Sequence, residues 1–238
     1  MQEKSFWSAK RIAFVVLFAA VGFVALQVKL FRYEGLTGKF FTWFEFIGPL
    51  AGAFLGPVFG ALATLGARLI NFILVGNAIE AVTLIPLVTL AFGALYFGTD
   101  LKEKITGKIA LAVPIIAILA FFAHPVGREV WYFALFWLIP IAALFSKRLF
   151  AKALGATFTA HAVGGALWIW FVPFAQTASY WNTLLFVVPV ERFIYAIGIC
   201  ISFVLFNTLL AKVEQAAKTN AIRIDERYVL GKSILKGF

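Results

Sequence analysis

Apolar residues run almost unbroken near positions 12–30, 46–75, 80–98, 109–123, 129–146, 153–173 and 184–211, and the short segments between them carry most of the charge. Stretches of about 20 apolar residues predict helices that cross a bilayer. The run at 46–75 is too long for one straight crossing, and the run at 109–123 is short and contains Pro114. The pattern therefore predicts an all-α integral membrane protein, a bundle of six or seven transmembrane helices forming a single domain over residues 1–238.

Within the second run, Gly48, Gly52, Gly56 and Gly60 recur every four residues, and Thr64 and Arg68 continue the row. In water this would be a poor helix, since each interior glycine costs roughly 1 kcal/mol relative to alanine and Pro49 and Pro57 remove hydrogen bonds. Lipid reverses the expectation. It cannot accept unpaired peptide groups, so the segment should stay helical and offer a stripe without side chains to another helix. The row ends in a cation, Arg68, with Asn71 one turn beyond, and both require polar partners.

Composition narrows the class. Of 238 residues, 63% are hydrophobic and 13% charged, and the mean hydropathy is +0.95, which only an integral membrane protein fits. No room is expected for a soluble catalytic domain. The net charge of +10 is scattered through loops and tail, which suits anionic membrane lipid and sets nucleic acid aside. Basic residues follow the first run (Lys29, Arg32, Lys39), the third (Lys102, Lys104, Lys108) and the fifth (Lys147, Arg148, Lys152), and recur in the tail (Lys212, Lys218, Arg223, Arg227). The positive-inside rule places these in the cytoplasm. Lys4, Lys10 and Arg11 argue for a cytoplasmic N-terminus as well, which seven spans and a cytoplasmic tail cannot both satisfy; the tail weighs more. The expected location is the cell membrane, multi-pass, with the C-terminus in the cytoplasm. Residues 212–238 mix charges with spaced apolar positions and predict an amphipathic helix on the membrane surface.

Ionisable groups inside a bilayer cost at least about 2.5–3.5 kcal/mol, so each is a candidate for function. His161 is the most informative, because helical spacing aligns it with Gly164 or Gly165 and with Trp168. An imidazole, a notch and an indole on one face suit a flat, mostly neutral ligand. The competing expectation is a histidine bonded to a neighbouring helix, with glycines that serve packing alone. Arg128-Glu129 and Glu191-Arg192 are adjacent opposite charges near Pro125 and Pro189, each read as opening an apolar helix. Capping accounts in part for Glu129 and Glu191, whereas Arg128 and Arg192 either hold an anionic ligand or cross-link helices. Trp181 and Asn182, in a segment almost without charge, complete the candidate binding set. No zinc-protease, serine-nucleophile or phosphate-loop motif is complete, so no catalytic residue, cofactor or metal is expected.

The chain resembles the substrate-binding membrane subunits, or S-components, of energy-coupling factor transporters. Four segments carry the resemblance: Ala9-Lys-Arg-Ile-Ala13, similar to the family's Ala-x-x-x-Ala contact surface; the Gly/Pro-rich block from Glu45 to Gly60; His161-Ala-Val-Gly164; and Pro189-Val-Glu-Arg192. The resemblance implies capture of a vitamin-like solute from outside, closure of the first loop (Phe31 to Phe44) as a lid, and docking through Ala9 and Ala13 onto a separate transmembrane coupling subunit driven by separate ATPase subunits. It usually implies six helices, against seven apolar runs here. The metal-binding members use an N-terminal Met-His segment, and this chain begins Met1-Gln2-Glu3. The alternative is a non-transport scaffold or accessory subunit that binds a permanent partner helix through Gly48, Gly52, Gly56 and Gly60.

Overall fold

The computed structural model describes residues 9–32, 40–217 and 222–231, with side chains described except at 9–13, 216 and 217. Helices dominate: α1 (Ala9–Gln27), α2 (Phe44–Ile47), α3 (Leu50–Leu55), α4 (Pro57–Val75), α5 (Ala81–Gly98), α6 (Thr106–Ala123), α7 (Pro125–Glu129), α8 (Leu138–Ala143), α9 (Leu149–Phe171) and α10 (Ala178–Ala217). Two short antiparallel strands, β1 (Lys29–Arg32) and β2 (Phe40–Thr42), pair Lys29 with Thr42 and Arg32 with Phe40. The fold is all-α, and four helices are long and apolar enough to cross a membrane: α4, α5, α6 and the Ala178–Gln215 part of α10. Large apolar side chains point outward, including Ile73 at 67% exposure and Phe186 at 80%. Around a bilayer such side chains meet lipid tails, so their exposure carries no hydration cost.

The second apolar run is not one helix. Gly56 adopts φ 90° and ψ 163°, a conformation essentially restricted to glycine, and Pro57 begins α4 at the first helical position. The Gly48-Pro49 pair makes a second interruption, and the run becomes α2, α3 and α4. Each break leaves carbonyls that lipid cannot satisfy, and the chain supplies the donors. The Thr64 hydroxyl lies 2.9 Å from the Gly48 carbonyl oxygen. The Arg223 N–H donates to the Phe54 carbonyl at 3.0 Å, bringing the C-terminal segment under the break.

The glycine row packs within the chain. A β-carbon at Gly52 would overlap the Ala94 carbonyl, one at Gly60 would overlap the Gly52 backbone, and one at Gly98 would meet Gly52 in turn. Gly48 faces Leu90, and Gly56 faces the Arg223 guanidinium. Three helices, α3, α4 and α5, therefore touch backbone to backbone. The polar end of the row is satisfied internally: Arg68 is ion-paired with Glu45, and Gln27 Nε2 donates to Asn71 Oδ1 at 2.9 Å.

Helix α9 buries 12 of its 23 residues and packs mainly against α5 and α10. Its small residues permit this. A β-carbon at Gly155 would strike the Tyr96 ring, and the Tyr96 hydroxyl donates to the Pro140 carbonyl at 2.6 Å. The expected span at 129–146 is instead a 3-10 segment, Trp131–Trp137, followed by α8. Pro140 removes a donor and crowds the carbonyl four residues back, which disfavours an α-helix here. The last helix, α10, has 40 residues and continues past Pro189, so at 1.5 Å per residue its contour is about 60 Å, twice a hydrocarbon core.

The expected amphipathic tail helix is not found in the described part of the tail. Beyond α10, residues 222–231 hold one 3-10 turn, Glu226–Tyr228, and fold back on α10. Asn207, fully buried, donates to the Asp225 carbonyl at 2.8 Å and accepts from the Asp225 N–H at 3.0 Å. The Leu230 N–H donates to Thr208 Oγ1 at 3.0 Å. Backbone satisfaction by buried side chains holds this segment where an amphipathic face would have left it on the membrane surface. Residues 218–221 and 232–238 lie outside the described residues.

Candidate functional site

Helical periodicity brings the membrane's costly residues together. On α9, His161, Gly164, Gly165 and Trp168 share a face; on α10, Trp181, Leu184, Val188 and the Glu191–Arg192 pair do so; on α5, Ile85, Pro86 and Thr89 complete the wall. Between them lies a cavity of about 100 Å³, lined also by Glu45 of α2 and Phe41 of β2. That volume exceeds the roughly 10–15 Å³ that one water requires, and its lining is aromatic with a few polar groups, as small-solute sites are.

His161 is half-buried, and its Nδ1 accepts a hydrogen bond from the Trp137 indole N–H at 3.4 Å. A neutral imidazole that accepts at Nδ1 carries its proton on Nε2, so the ring is a donor on its other edge. His161 is bonded to a neighbouring element and also lines the cavity. The notch at Gly165 is filled by protein, since a β-carbon there would come within 2.5 Å of Trp137 Cζ2. Trp168 is 8% exposed and lies parallel to Tyr180, with ring centroids 6.4 Å apart and planes inclined by 6°.

Glu191 and Arg192 do not open a helix. They lie inside α10, so the capping explanation for Glu191 is withdrawn and the full cost of placing charge there must be met otherwise. Arg192 is 4% exposed. Its guanidinium lies 4.4 Å from the Tyr195 ring centroid and 5.3 Å from that of Phe41, and Nη2 is 3.4 Å from Glu191 Oε2.

Of the remaining candidates, Arg128, Glu129 and Asn182 lie apart from the cavity. Arg128 and Glu129 are exposed at the end of α7, not the start of a longer helix. Asn182 is exposed and accepts from the Tyr132 hydroxyl. Trp181 does line the cavity, yet its indole N–H donates to the Ala175 carbonyl at 2.7 Å and its ring packs on Phe121 and Phe133, a structural anchor as well as a wall. Ala9 and Ala13 lie in the first turns of α1, with side chains outside the described residues, as is half of the expected lid, residues 33–39. Phe41, Thr89 and Tyr180 join the site without a sequence signal, since apolar and hydroxyl residues on a membrane helix look alike whichever way they face.

Another cavity, of about 150 Å³, shares Glu45 as a lining residue and is lined also by Arg68, Asn71 and Asn77. Among the described residues no group of three or more His, Cys, Asp or Glu side chains is arranged to hold a metal ion. Searches of protein-family models, curated proteins and solved structures find no match to this chain.

Proposed function

We propose that the chain is the solute-binding subunit of an energy-coupling-factor-type transporter, a bundle of six or seven crossings that captures a vitamin-like micronutrient. One observation carries this reading: polar residues from α9 and α10, each costly in a bilayer, converge with aromatic rings on one small cavity. The sequence resemblance supplies the rest. The C-terminus is cytoplasmic, transport needs separate coupling and ATPase subunits, and the first turns of α1 with Ala9 and Ala13 are the docking face. Support for a close but separable contact comes from α1 itself, which leaves Val16, Leu17 and Val24 more than half exposed.

The test is direct. The full chain, purified from its own membranes in mild detergent, is examined by native mass spectrometry and by thermal unfolding against a library of water-soluble vitamins and related compounds. One small molecule should co-purify and raise the melting temperature in a saturable way, as ligand binding to the folded state requires. Replacing Trp168 by alanine should remove that response. A chain that carries no small molecule and answers to none of the library is not a solute-binding subunit.

A further inference from the structure

We propose that the solute held in this cavity is a planar anion, with a carboxylate seated on Arg192 and a ring between the aromatic walls. This rests on the solute-binding reading above and replaces the mostly neutral ligand expected from sequence. The described residues contain two buried arginines inside the bundle, and the fold treats them differently. Arg68 on α4 meets the carboxylate of Glu45 from α2, in direct contact. Among the described residues, the one carboxylate paired with Arg192 is that of its neighbour in sequence, Glu191. Consecutive residues on a helix point about 100° apart and do not face each other. The resulting 3.4 Å separation from Glu191 exceeds the roughly 2.7–2.9 Å of a close guanidinium–carboxylate bond.

Arg192 Nε, like Arg68 Nε, is buried without a hydrogen-bond acceptor among the described residues, but Arg68 has a carboxylate in direct contact to offset its charge. A cation so placed in a low-dielectric interior calls for a planar, charged acceptor, and a carboxylate matches the guanidinium fork in both shape and sign. The surroundings agree. Rings of Tyr195 and Phe41 lie against the guanidinium, and His161, fixed through Nδ1 by Trp137, offers Nε2–H as a further donor in the same cavity. Trp168 and Tyr180, parallel to each other, form an aromatic wall for the ring of the solute.

The probes are benzoate, 2-naphthoate and indole-2-carboxylate, each paired with its primary carboxamide, titrated into the purified full chain and read by melting temperature and calorimetry. At least one carboxylate should bind at least tenfold more tightly than its amide. Arg192→Gln should abolish the difference, and Arg192→Lys, which keeps the charge and loses the fork, should fall between. Glu191→Gln removes the competing carboxylate and should tighten carboxylate binding, which decides the matter even if Arg192→Gln fails to fold. Amides that bind as well as the acids, an uncharged solute found by native mass spectrometry, or weaker carboxylate binding in Glu191→Gln would each overturn the anion assignment while leaving solute binding in place. No response to either half of the panel, together with no co-purified molecule, removes both.

Discussion

The Arg68 guanidinium on α4 is ion-paired with the Glu45 carboxylate on α2, 23 residues earlier, and both residues are more than 90% buried. The pair bridges the two interruptions that divide the Gly/Pro-rich run, and Glu45 forms part of the wall of two cavities. It ties the break in the helix to the site. Removing one member of a buried pair leaves the other charge uncompensated, at a cost of about 3–5 kcal/mol. Arg68→Met should therefore lower the melting temperature sharply in detergent. The double variant Glu45→Met/Arg68→Met should recover most of the loss, because two apolar side chains of similar size replace two desolvated charges. A double variant no more stable than Arg68→Met would show that the pair is not what holds α2 to α4.

The glycines divide by what stands opposite them. Gly52→Ala places a methyl group on the Ala94 carbonyl, where backbone cannot give way, and should destabilise the protein by at least about 2 kcal/mol. Gly66 lies in the middle of α4 with nothing within 4 Å of the position its β-carbon would take. Gly66→Ala should be neutral or stabilising by up to about 1 kcal/mol, the ordinary helix preference. Thermal unfolding of the two variants side by side checks the contrast.

The Trp137–His161 bond can be observed by itself. The chain has two histidines, and the other, His124, caps α7 by accepting at Nδ1 from the Val126 N–H at 3.3 Å, so two sets of imidazole ¹⁵N resonances are expected. In the native protein His161 should show protonated Nε2 and acceptor Nδ1. Trp137→Phe removes the donor and leaves a buried acceptor, costing about 1–3 kcal/mol, and should shift one imidazole only. Unchanged His161 resonances in that variant would dismiss the bond.

The C-terminal segment should loosen in acid. The Asp225 carboxyl is held below the ordinary carboxylate range chiefly by the side-chain hydrogen bonds from Arg227, at 2.7 and 3.0 Å, against a smaller opposing effect of burial. Its folded value lies below its unfolded value of about 3.9, so the folded state binds fewer protons. The stabilisation is then complete above about pH 5 and declines as pH falls through the ordinary value toward the depressed one. Hydrogen exchange at the Asp225 and Leu230 amides, corrected for intrinsic rates, should rise over that window in the native protein. In Asp225→Asn the dependence should vanish. Asn207→Ala, which removes both bonds to the Asp225 backbone, should expose the segment to protease at neutral pH.

Much of the architecture was legible in the order of residues. Long apolar runs become helices because a bilayer permits little else, and the 3.6-residue period alone places His161 and Trp168 on one face. The same local logic misread Glu191-Arg192 and Arg128-Glu129, two near-identical signals. Each pair, lying near a proline, reads as opening an apolar helix, yet α10 passes through Pro189 and Pro125 opens only the short α7, which ends at Glu129. A proline in a buried helix can be accommodated by its neighbours, and nothing within a short window of sequence reports those neighbours.

By itself, then, the sequence determined the membrane class, the positions of most helices and which residues would be costly to bury, since these follow from transfer energies and helical period. Only the tertiary structure decided which costly residues face one another. Gly52 meets Gly60 and Ala94, Arg68 finds Glu45 while Arg192 finds no carboxylate beyond its own neighbour among the described residues, and the tail at Arg223 reaches the broken helix at Phe54. Those pairings join residues far apart in the chain, and they are settled by packing and by the demand that every buried polar group find a partner.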